Sequence, residues 1–512
     1  MKRLAAAIGL LAIASCVDHL PLPPAAAPPS AAAATPAEAA LVAGAVFVPA
    51  LRYGGPNERP APTADPSFRI ASPAVAETAM PQPVSPQTFS LENGLHVVFV
   101  ERHGFPMVAA QLVIDTSWAM TDDVGGRNAY LLAGTFLSPF EHVQQTSAGC
   151  GPDGCAIASR GLSAQLAEVL GRIANLAMRA GGDPGAYQQR FATYVRLAER
   201  EYGPVQRNMR ALLFGGNHRY GEAPPGPVPT LDALKQLRDR SFVPSASTLV
   251  VVGDTTIDAV RAALGQTLAT WAPGREARPA PAKPPPPPDG PHIVVYRNRS
   301  IGQVWGSVAA RGPTVRDRDM PACMVLAQLL GGAMDSVLYH GEREELGAAY
   351  TVGARIETYK DATVMTMGAS FDRDSPIAGM RTMLDAIALA REKEPSADDL
   401  ERAKAGVVAQ ERHAGAVDEG MALMLGGAAL EGLSPTAIQD RAGLVAAVSA
   451  ADVRAVARHY LAPEALRAVL DGRAESTVGA QSLGLGEPVF TDIHGRPAPP
   501  VGSVAVAKKP GN

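Results

Sequence analysis

The chain has 512 residues, too many for a single hydrophobic core, so at least two domains are expected. Its 46 Lys and Arg residues nearly balance its 50 Asp and Glu residues, which gives a formal net charge of −4 at pH 7. This balance excludes the basic stripe that a nucleic-acid-binding surface requires. The four cysteines and ten histidines show no zinc-finger spacing.

The N-terminus has the pattern of a lipoprotein signal peptide over residues 1–16. Lys2 and Arg3 precede an apolar run that is too short to span a bilayer, and small residues lead directly into Cys16. In a bacterial lipobox this cysteine would be lipidated and would anchor the mature chain to a membrane. The alternative is an ordinary signal peptide that contains a cysteine. Val17, rather than aspartate, follows the cysteine, and by resemblance to enterobacterial lipoproteins this favours the outer membrane, with the chain facing the periplasm.

Composition divides the rest of the chain into folded and unfolded parts. Residues 17–85 are rich in Ala and Pro and predict a disordered tether, because they cannot bury enough apolar surface to fold. Residues 273–291 include five consecutive prolines and predict an extended linker. Residues 475–512 are rich in Gly and Pro without periodicity and predict a loose tail. Two blocks, 86–272 and 292–474, remain as the domains.

The two blocks share one order of elements. Each begins with alternating strands, continues with long helices, and then has a helix with a Ser or Thr N-cap, a proline stop and a strand. The strands that close this pattern are 248–252 in the first block and 466–470 in the second. Chance similarity between common helix endings is the alternative, but the shared order favours a duplicated α+β unit.

Two cysteines mark a predicted hairpin in the first block. Cys150 and Cys155 flank the sequence Gly-Pro-Asp-Gly, which is typical of a tight turn, and 146–149 and 156–161 can form its strands. In an oxidising periplasm the two cysteines could close a disulfide across this hairpin. A metal site is disfavoured, because His142 is the only nearby histidine.

Five phrases occur along the two blocks: LENGLHVV (91–98), LVVVGD (249–254), LLGG (329–332), REELGAAY (343–350) and DLERAK (399–404). In this order they resemble the insulinase/pitrilysin family of zinc peptidases, most closely its mitochondrial-processing-peptidase branch. The resemblance runs from about residue 89 to residue 474. It implies an α+β fold of two homologous domains that form a clamshell, each a mostly antiparallel sheet with helices packed on one face.

Active members of that family bind zinc through HxxEH on a helix, with the Glu as general base, and through a later Glu. The resemblance aligns Tyr130 and Gly134 with the two histidines and Ala133 with the general base. It aligns Arg196 with the later ligand and Gln189 with its acidic neighbour. A protonated phenol, two side chains without donor atoms and a permanent cation do not hold zinc. No two of the ten histidines are four residues apart, so no other alignment restores the motif.

The second domain of active members contributes an Arg and a Tyr, seven residues apart, that grip the substrate backbone. Arg343 and Tyr350 match these positions, and both are donors suited to a developing oxyanion. The alternative is that Arg343 pairs with a neighbouring Glu and Tyr350 starts a buried strand. Gly331 and Gly332 resemble the glycine-rich loop of non-catalytic subunits, which lies along the peptide channel; a helix ending at a glycine is equally compatible.

The resemblance therefore implies an alpha-type subunit without zinc. Such a chain binds extended peptides and supplies Arg343 and Tyr350 to the zinc site of a partner subunit in a heterodimeric metallopeptidase of the bacterial envelope. We expect zinc in the partner, no cofactor in this chain, and no activity of this chain alone. The alternative is an enzymatically inactive scaffold or peptide-holding protein of the periplasm. A self-sufficient hydrolase finds no support, because the sequence lacks G-x-S-x-G.

Overall fold

A computed structural model of the chain describes residues 85–116, 145–178, 204–215, 230–274, 288–298, 302–492 and 496–498, together with 218, 220 and 221. The predicted signal peptide, Cys16 and the tether up to residue 84 lie outside the described residues. So do the aligned zinc positions, which are Tyr130, Ala133, Gly134, Gln189 and Arg196.

Two six-stranded sheets form the framework. The first has the order β1-β2-β6-β3-β5-β4 and the second the order β12-β7-β11-β8-β10-β9. The strands are β1 Gln87–Ser90, β2 His96–Glu101, β3 Met107–Ile114, β4 Thr146–Cys150, β5 Cys155–Leu162, β6 Ser247–Gly253, β7 Ile293–Arg297, β8 Val304–Gly312, β9 Ala349–Thr358, β10 Thr363–Phe371, β11 Arg467–Gly472 and β12 Val489–Asp492.

The two sheets repeat one topology. In the first, β6 lies between β2, to which it is parallel, and β3, to which it is antiparallel. In the second, β11 lies in the same way between β7 and β8. The hairpin partners β5–β4 and β10–β9 then complete each sheet on the same side. This arrangement confirms the predicted α+β class. The sheets differ at the opposite edge, where β1 runs antiparallel to β2 but β12 runs parallel to β7.

Together with the short helix Val337–Tyr339, ten α-helices of eight residues or more accompany these strands in the described part of the chain. They are α1 Leu166–Met178, α2 Pro204–Phe214, α3 Leu231–Ser241, α4 Ile257–Gly265, α5 Met320–Ala327, α6 Pro376–Glu392, α7 Ala397–Gly415, α8 Asp418–Leu430, α9 Ala437–Ala446 and α10 Ala450–Tyr460. The predicted N-cap of α10 is present: Ser449 accepts a hydrogen bond from the Asp452 amide, and the Asp452 carboxylate accepts one from the Ser449 amide.

Each sheet has one face covered by helices of its own half. Val97 and Phe99 of β2 share a core with Val169 and Ile173 of α1. In the second half, Val308 and Met367 of the sheet share a core with α5, α6 and α10. As predicted, the helices of each half therefore pack on one face of that half's own sheet.

The opposite face of each sheet is covered by a helix from the other half. Ala422 and Leu425 of α8 pack on Val98 and Val250 of the first sheet. Close approach requires Gly426, because a Cβ there would lie 2.2 Å from Oε1 of Gln111. Both faces of β2 are consequently buried, which explains why its sequence is a continuous apolar run rather than an alternating one.

The second sheet is covered in the reciprocal way. Leu213 and Phe214 of α2, together with Tyr220, form a cluster with Val294 and Val469 of the second sheet. The two halves are thus joined by two apolar clusters, each built from one half's sheet and the other half's helix.

The predicted loose tail is wrong for residues 475–492. Leu483 and Leu485 are buried in the second core, and β12 pairs with β7 in parallel register. Turns at Gly479 and Gly484, both with positive φ, change the chain direction between single apolar residues. Because the apolar residues are spaced singly by these turns, the segment lacks the periodicity that would have marked it as folded.

One helical run, Met320–Glu345, is long and apolar enough to cross a membrane by length and composition alone. Its side chains Cys323, Leu326, Leu330 and Leu338 lie in the second core. The apolar character of this run is therefore explained by packing inside the fold, as for a buried core helix.

Truncation of one side chain in the contact between α8 and the first sheet tests how much this contact contributes to stability. Leu425→Ala should lower the free energy of unfolding by about 2–5 kcal/mol, because it leaves a cavity between α8 and the first sheet. The matched control is Leu444→Ala on α9, whose side chain is exposed, and it should change stability by less than about 1 kcal/mol. Urea denaturation followed by circular dichroism measures both. Equal losses in the two variants would contradict the assignment of this contact.

Candidate functional site

The segment between α5 and β9 brings Arg343 and Tyr350 together. After α5 the chain continues through wide helical turns at Gln328–Gly332 and His340–Glu345. The second wide turn is closed by a hydrogen bond from the Leu346 amide to the Gly341 carbonyl. Gly347, at φ +63°, then reverses the chain into β9, an arrangement that a side chain at this position would strain.

The guanidinium of Arg343 lies over two aromatic rings. Its Cζ is 4.7 Å from the centroid of the Tyr350 ring and 5.1 Å from that of Tyr339. Its Nη1 donates a hydrogen bond of 3.2 Å to the Tyr350 carbonyl. Glu344, a candidate partner for Arg343, instead pairs with His340. Cation–π contact and one backbone hydrogen bond therefore hold the predicted pair together.

The pair faces solvent. Tyr350 is the second residue of β9 and has 70% of its surface exposed, so it does not start a buried strand. Three other large apolar side chains of the same segment are also exposed: Met334, Val337 and Leu346. Exposed apolar side chains close together in one segment are typical of a surface that contacts another molecule.

The two glycines of the predicted channel loop have a packing role in the structure. A Cβ at Gly331 would lie 2.3 Å from the Ala354 amide nitrogen, so the glycine allows the wide turn to approach β9. At Gly332 a Cβ would lie 2.2 Å from Oε1 of Gln328. The helical run is interrupted at Gly331 and gives way to an extended Ala333. This geometry matches the alternative of a helix that ends at glycine.

Glu342, beside Arg343, was missed by sequence reasoning. Its side chain is fully buried, and neither carboxylate oxygen has a hydrogen-bond partner among the described residues. Desolvation raises the pKa of this carboxyl to about 8, so it is largely protonated at neutral pH. In sequence the residue belongs to the charged run Glu342–Glu345, which is typical of a solvated surface.

The described part of the chain contains no group of three or more His, Cys, Asp and Glu residues that could hold a metal ion. His103 lies between two carboxylates, 2.7 Å from Asp254 and 3.0 Å from Glu101. The hydrogen bond with Asp254, followed by the one with Glu101, raises the pKa of the imidazole. This favours the protonated ring, which cannot bind a metal.

The cysteine hairpin connects the two halves. Cys150 and Cys155 are joined by a disulfide across β4 and β5. Asp153, at the tip, accepts hydrogen bonds from the Tyr220 hydroxyl at 2.8 Å and from the Lys360 amide at 2.9 Å. Lys360 lies in the turn between β9 and β10, so the hairpin tip of the first half contacts the hairpin that begins at Tyr350.

Comparison with protein families adds a specific match. Residues 230–407, which include Arg343 and Tyr350, match the family model described as the peptidase M16 inactive domain. This match covers the end of the first half and most of the second and is typical of a non-catalytic, peptidase-like protein. Among curated proteins, none matches the sequence.

Solved structures share the fold over about three quarters of the chain. A protease from Helicobacter pylori has a TM-score of 0.66 at 16% identity, with 76% of this chain and 100% of that chain covered. A peptidase M16 inactive domain from Pseudomonas fluorescens has a TM-score of 0.65 at 19% identity, over 76% of this chain and 98% of that one. The first half of the periplasmic protease PqqL from Escherichia coli has a TM-score of 0.61 at 15% identity, over 80% and 97%.

The disulfide should be detectable and stabilising. Without reductant, peptides that contain Cys150 and Cys155 should resist alkylation even in denaturant, whereas the buried thiol of Cys323 should react once the chain unfolds. Replacement of both hairpin cysteines by serine should lower the free energy of unfolding by about 2 kcal/mol, the loop-closure value for a short loop. Mass spectrometry and urea denaturation measure these two results. Alkylation of the hairpin cysteines in unreduced protein would contradict the assignment.

Proposed function

We propose that this chain is a non-catalytic, peptide-binding subunit of a heterodimeric M16-type zinc peptidase. In this proposal, Arg343 and Tyr350 face the zinc site of a partner subunit, where they donate hydrogen bonds to the carbonyl oxygen of a bound peptide. The observation that carries the proposal is the geometry of the pair. A guanidinium and a phenol are already in contact, and Tyr350 is exposed where a second chain can reach it.

The residues of this chain do not fit a zinc ion at the family's metal position. Tyr130, Ala133, Gly134 and Arg196 stand at the aligned ligand and base positions, and none provides a suitable donor atom. The match to an inactive-domain model covers residues 230–407, the part that contains Arg343 and Tyr350, and supports a peptidase-like role for that part. The metal of the assembly is accordingly assigned to the partner, and this chain contributes only hydrogen-bond donors and contact surface.

The strand that carries Tyr350 supports an extended peptide as the ligand. Among the described strands, β9 is the last in the order of the second sheet and pairs only with β10. An edge strand offers backbone donors and acceptors to an extended segment of another chain. Tyr350 is the second residue of this strand and follows the exposed Leu346 by four residues.

We assign the chain to the cell envelope, with a lipid at Cys16 and the folded part in the periplasm. The lipobox-like sequence and the Cys150–Cys155 disulfide support this location, because disulfides persist in oxidising compartments. A structural neighbour, PqqL, is itself a periplasmic protease. The outer membrane is the proposed site of anchoring.

Reconstitution with a zinc-bearing relative tests the proposal. The full chain is mixed with a secreted relative that retains HxxEH, ideally the product of an adjacent gene, and peptide hydrolysis is measured. Arg343→Ala and Tyr350→Phe should each lower kcat/KM by about 10²–10³-fold, the usual effect of losing one oxyanion donor, while the complex still forms.

Arg318→Ala provides the matched control, because the Arg318 side chain is 97% exposed and lies outside the proposed site. It should leave kcat/KM unchanged. A stable complex whose activity is insensitive to substitution of Arg343 and Tyr350 would contradict the proposal. That result would instead support the second reading, an inactive scaffold or peptide-holding protein.

A further inference from the structure

A buried carboxyl lies directly behind the exposed pair. Glu342 precedes Arg343 in the wide turn His340–Glu345. The side chain of Glu342 is buried, whereas that of Arg343 is exposed. Both of its oxygens lack hydrogen-bond partners among the described residues. A buried, unpartnered carboxyl is costly, so its retention in the fold requires a physical explanation.

Two glycines create the space that this carboxyl occupies. A Cβ at Gly379 of α6 would lie 2.8 Å from Oε2 of Glu342 and 2.1 Å from the ring of Phe371. A Cβ at Gly341 would lie 2.9 Å from Cγ2 of Thr382, so the turn itself sits directly on α6. The carboxyl is therefore packed in a close-fitting apolar site between the turn and this helix.

Charged groups on the surrounding elements are engaged elsewhere. His340 and Glu344 of the same turn pair with each other, and Arg343 is held by Tyr350. On α6, Arg381 donates to the carbonyl oxygens of Ser482 and Leu483. On β9, Arg355 pairs with Glu357. The remaining charged groups on α6 and in the loop before it are exposed or at the far end of the helix: Asp372, Arg373, Asp374, Asp385, Arg391 and Glu392.

We propose that Glu342 is a positioning residue for the Arg343–Tyr350 pair, because its fully buried carboxyl, packed beside Gly379, fixes the turn that holds Arg343 over Tyr350. The turn is closed by the hydrogen bonds from the Leu346 amide to Gly341 and, at 2.8 Å, from the Ala348 amide to the Glu342 carbonyl. Glu342 thus lies between the second core and the exposed pair. Any effect of Glu342 on catalysis rests on the proposed function, but its effect on the turn can be measured in this chain alone.

The proposal predicts a pH dependence of the turn. The pKa of the carboxyl is near its ordinary value of 4.5 when the turn is open and about 8 when it is closed, because burial disfavours the carboxylate. A raised pKa in the closed state means that proton binding stabilises that state. The stabilisation is complete below about pH 4.5 and is lost as the pH rises to 8. Ionisation therefore loosens the turn and releases Arg343.

Hydrogen–deuterium exchange of the full chain, corrected for the intrinsic pH dependence of exchange, tests this directly. In the wild-type protein, protection of the Leu346 and Ala348 amides should fall by up to about tenfold per pH unit between pH 5 and pH 8, and then level off. Glu342→Gln and Glu342→Met cannot ionise, so their protection should not change with pH. Glu345→Gln, at an exposed position in the same turn, should retain the wild-type profile.

A flat wild-type profile, or the same slope in Glu342→Gln, would overturn the proposal. Glu342→Met serves as the second variant if the amide of Gln is not tolerated in the apolar site. The measurement needs no partner, so its failure is distinct from failure of the proposed function. If exchange behaves as predicted but reconstituted activity ignores Arg343→Ala, the positioning role stands and the peptidase role fails.

Discussion

The structure depends on the reciprocal covering of its two sheets. Each sheet is apolar on both faces, and among the described residues each half covers one of these faces with its own helices. The other face is buried by α8 in the first sheet and by α2 in the second. Exposure of these apolar faces to water would be costly. We therefore expect each half to depend on the other for its stability.

The packing of the two halves also determines the position of the candidate site. Because the two halves are fixed against each other, the hairpin tip at Asp153 can hold the turn at Lys360, at the far end of β9 from Tyr350. At the near end, Gly379 of α6, packed beside Phe371 of β10, allows the helix to approach the wide turn closely. The strand is thus held at both ends, and its exposed second residue, Tyr350, contacts Arg343. A rigid pair of donors needs no reorganisation when a peptide binds.

The duplication, the hairpin at Cys150 and Cys155 and the choice of Arg343 and Tyr350 as a candidate pair follow from the sequence, because each depends on local spacing or on a recognisable phrase. The cation–π contact between the two residues is seen only in the structure. Sequence reasoning missed β12, since single apolar residues between glycine turns have no period. It also missed the buried Glu342, because burial of one carboxyl in a charged run depends on a glycine 37 residues later in the chain. The crossing of α2 and α8 between halves is likewise a tertiary effect. It explains why β2, which the sequence analysis expected to alternate, is buried on both faces.

The central claim is that this chain completes an active site whose metal belongs to another subunit. The most direct measurement is a titration of the full chain into a fixed amount of the zinc-bearing partner, with peptide hydrolysis and bound zinc followed together. We expect hydrolysis to rise and to saturate at one chain per partner, with one zinc ion per pair and none on this chain alone. Stoichiometric zinc on the isolated chain, or a rate that does not change during the titration, would contradict it.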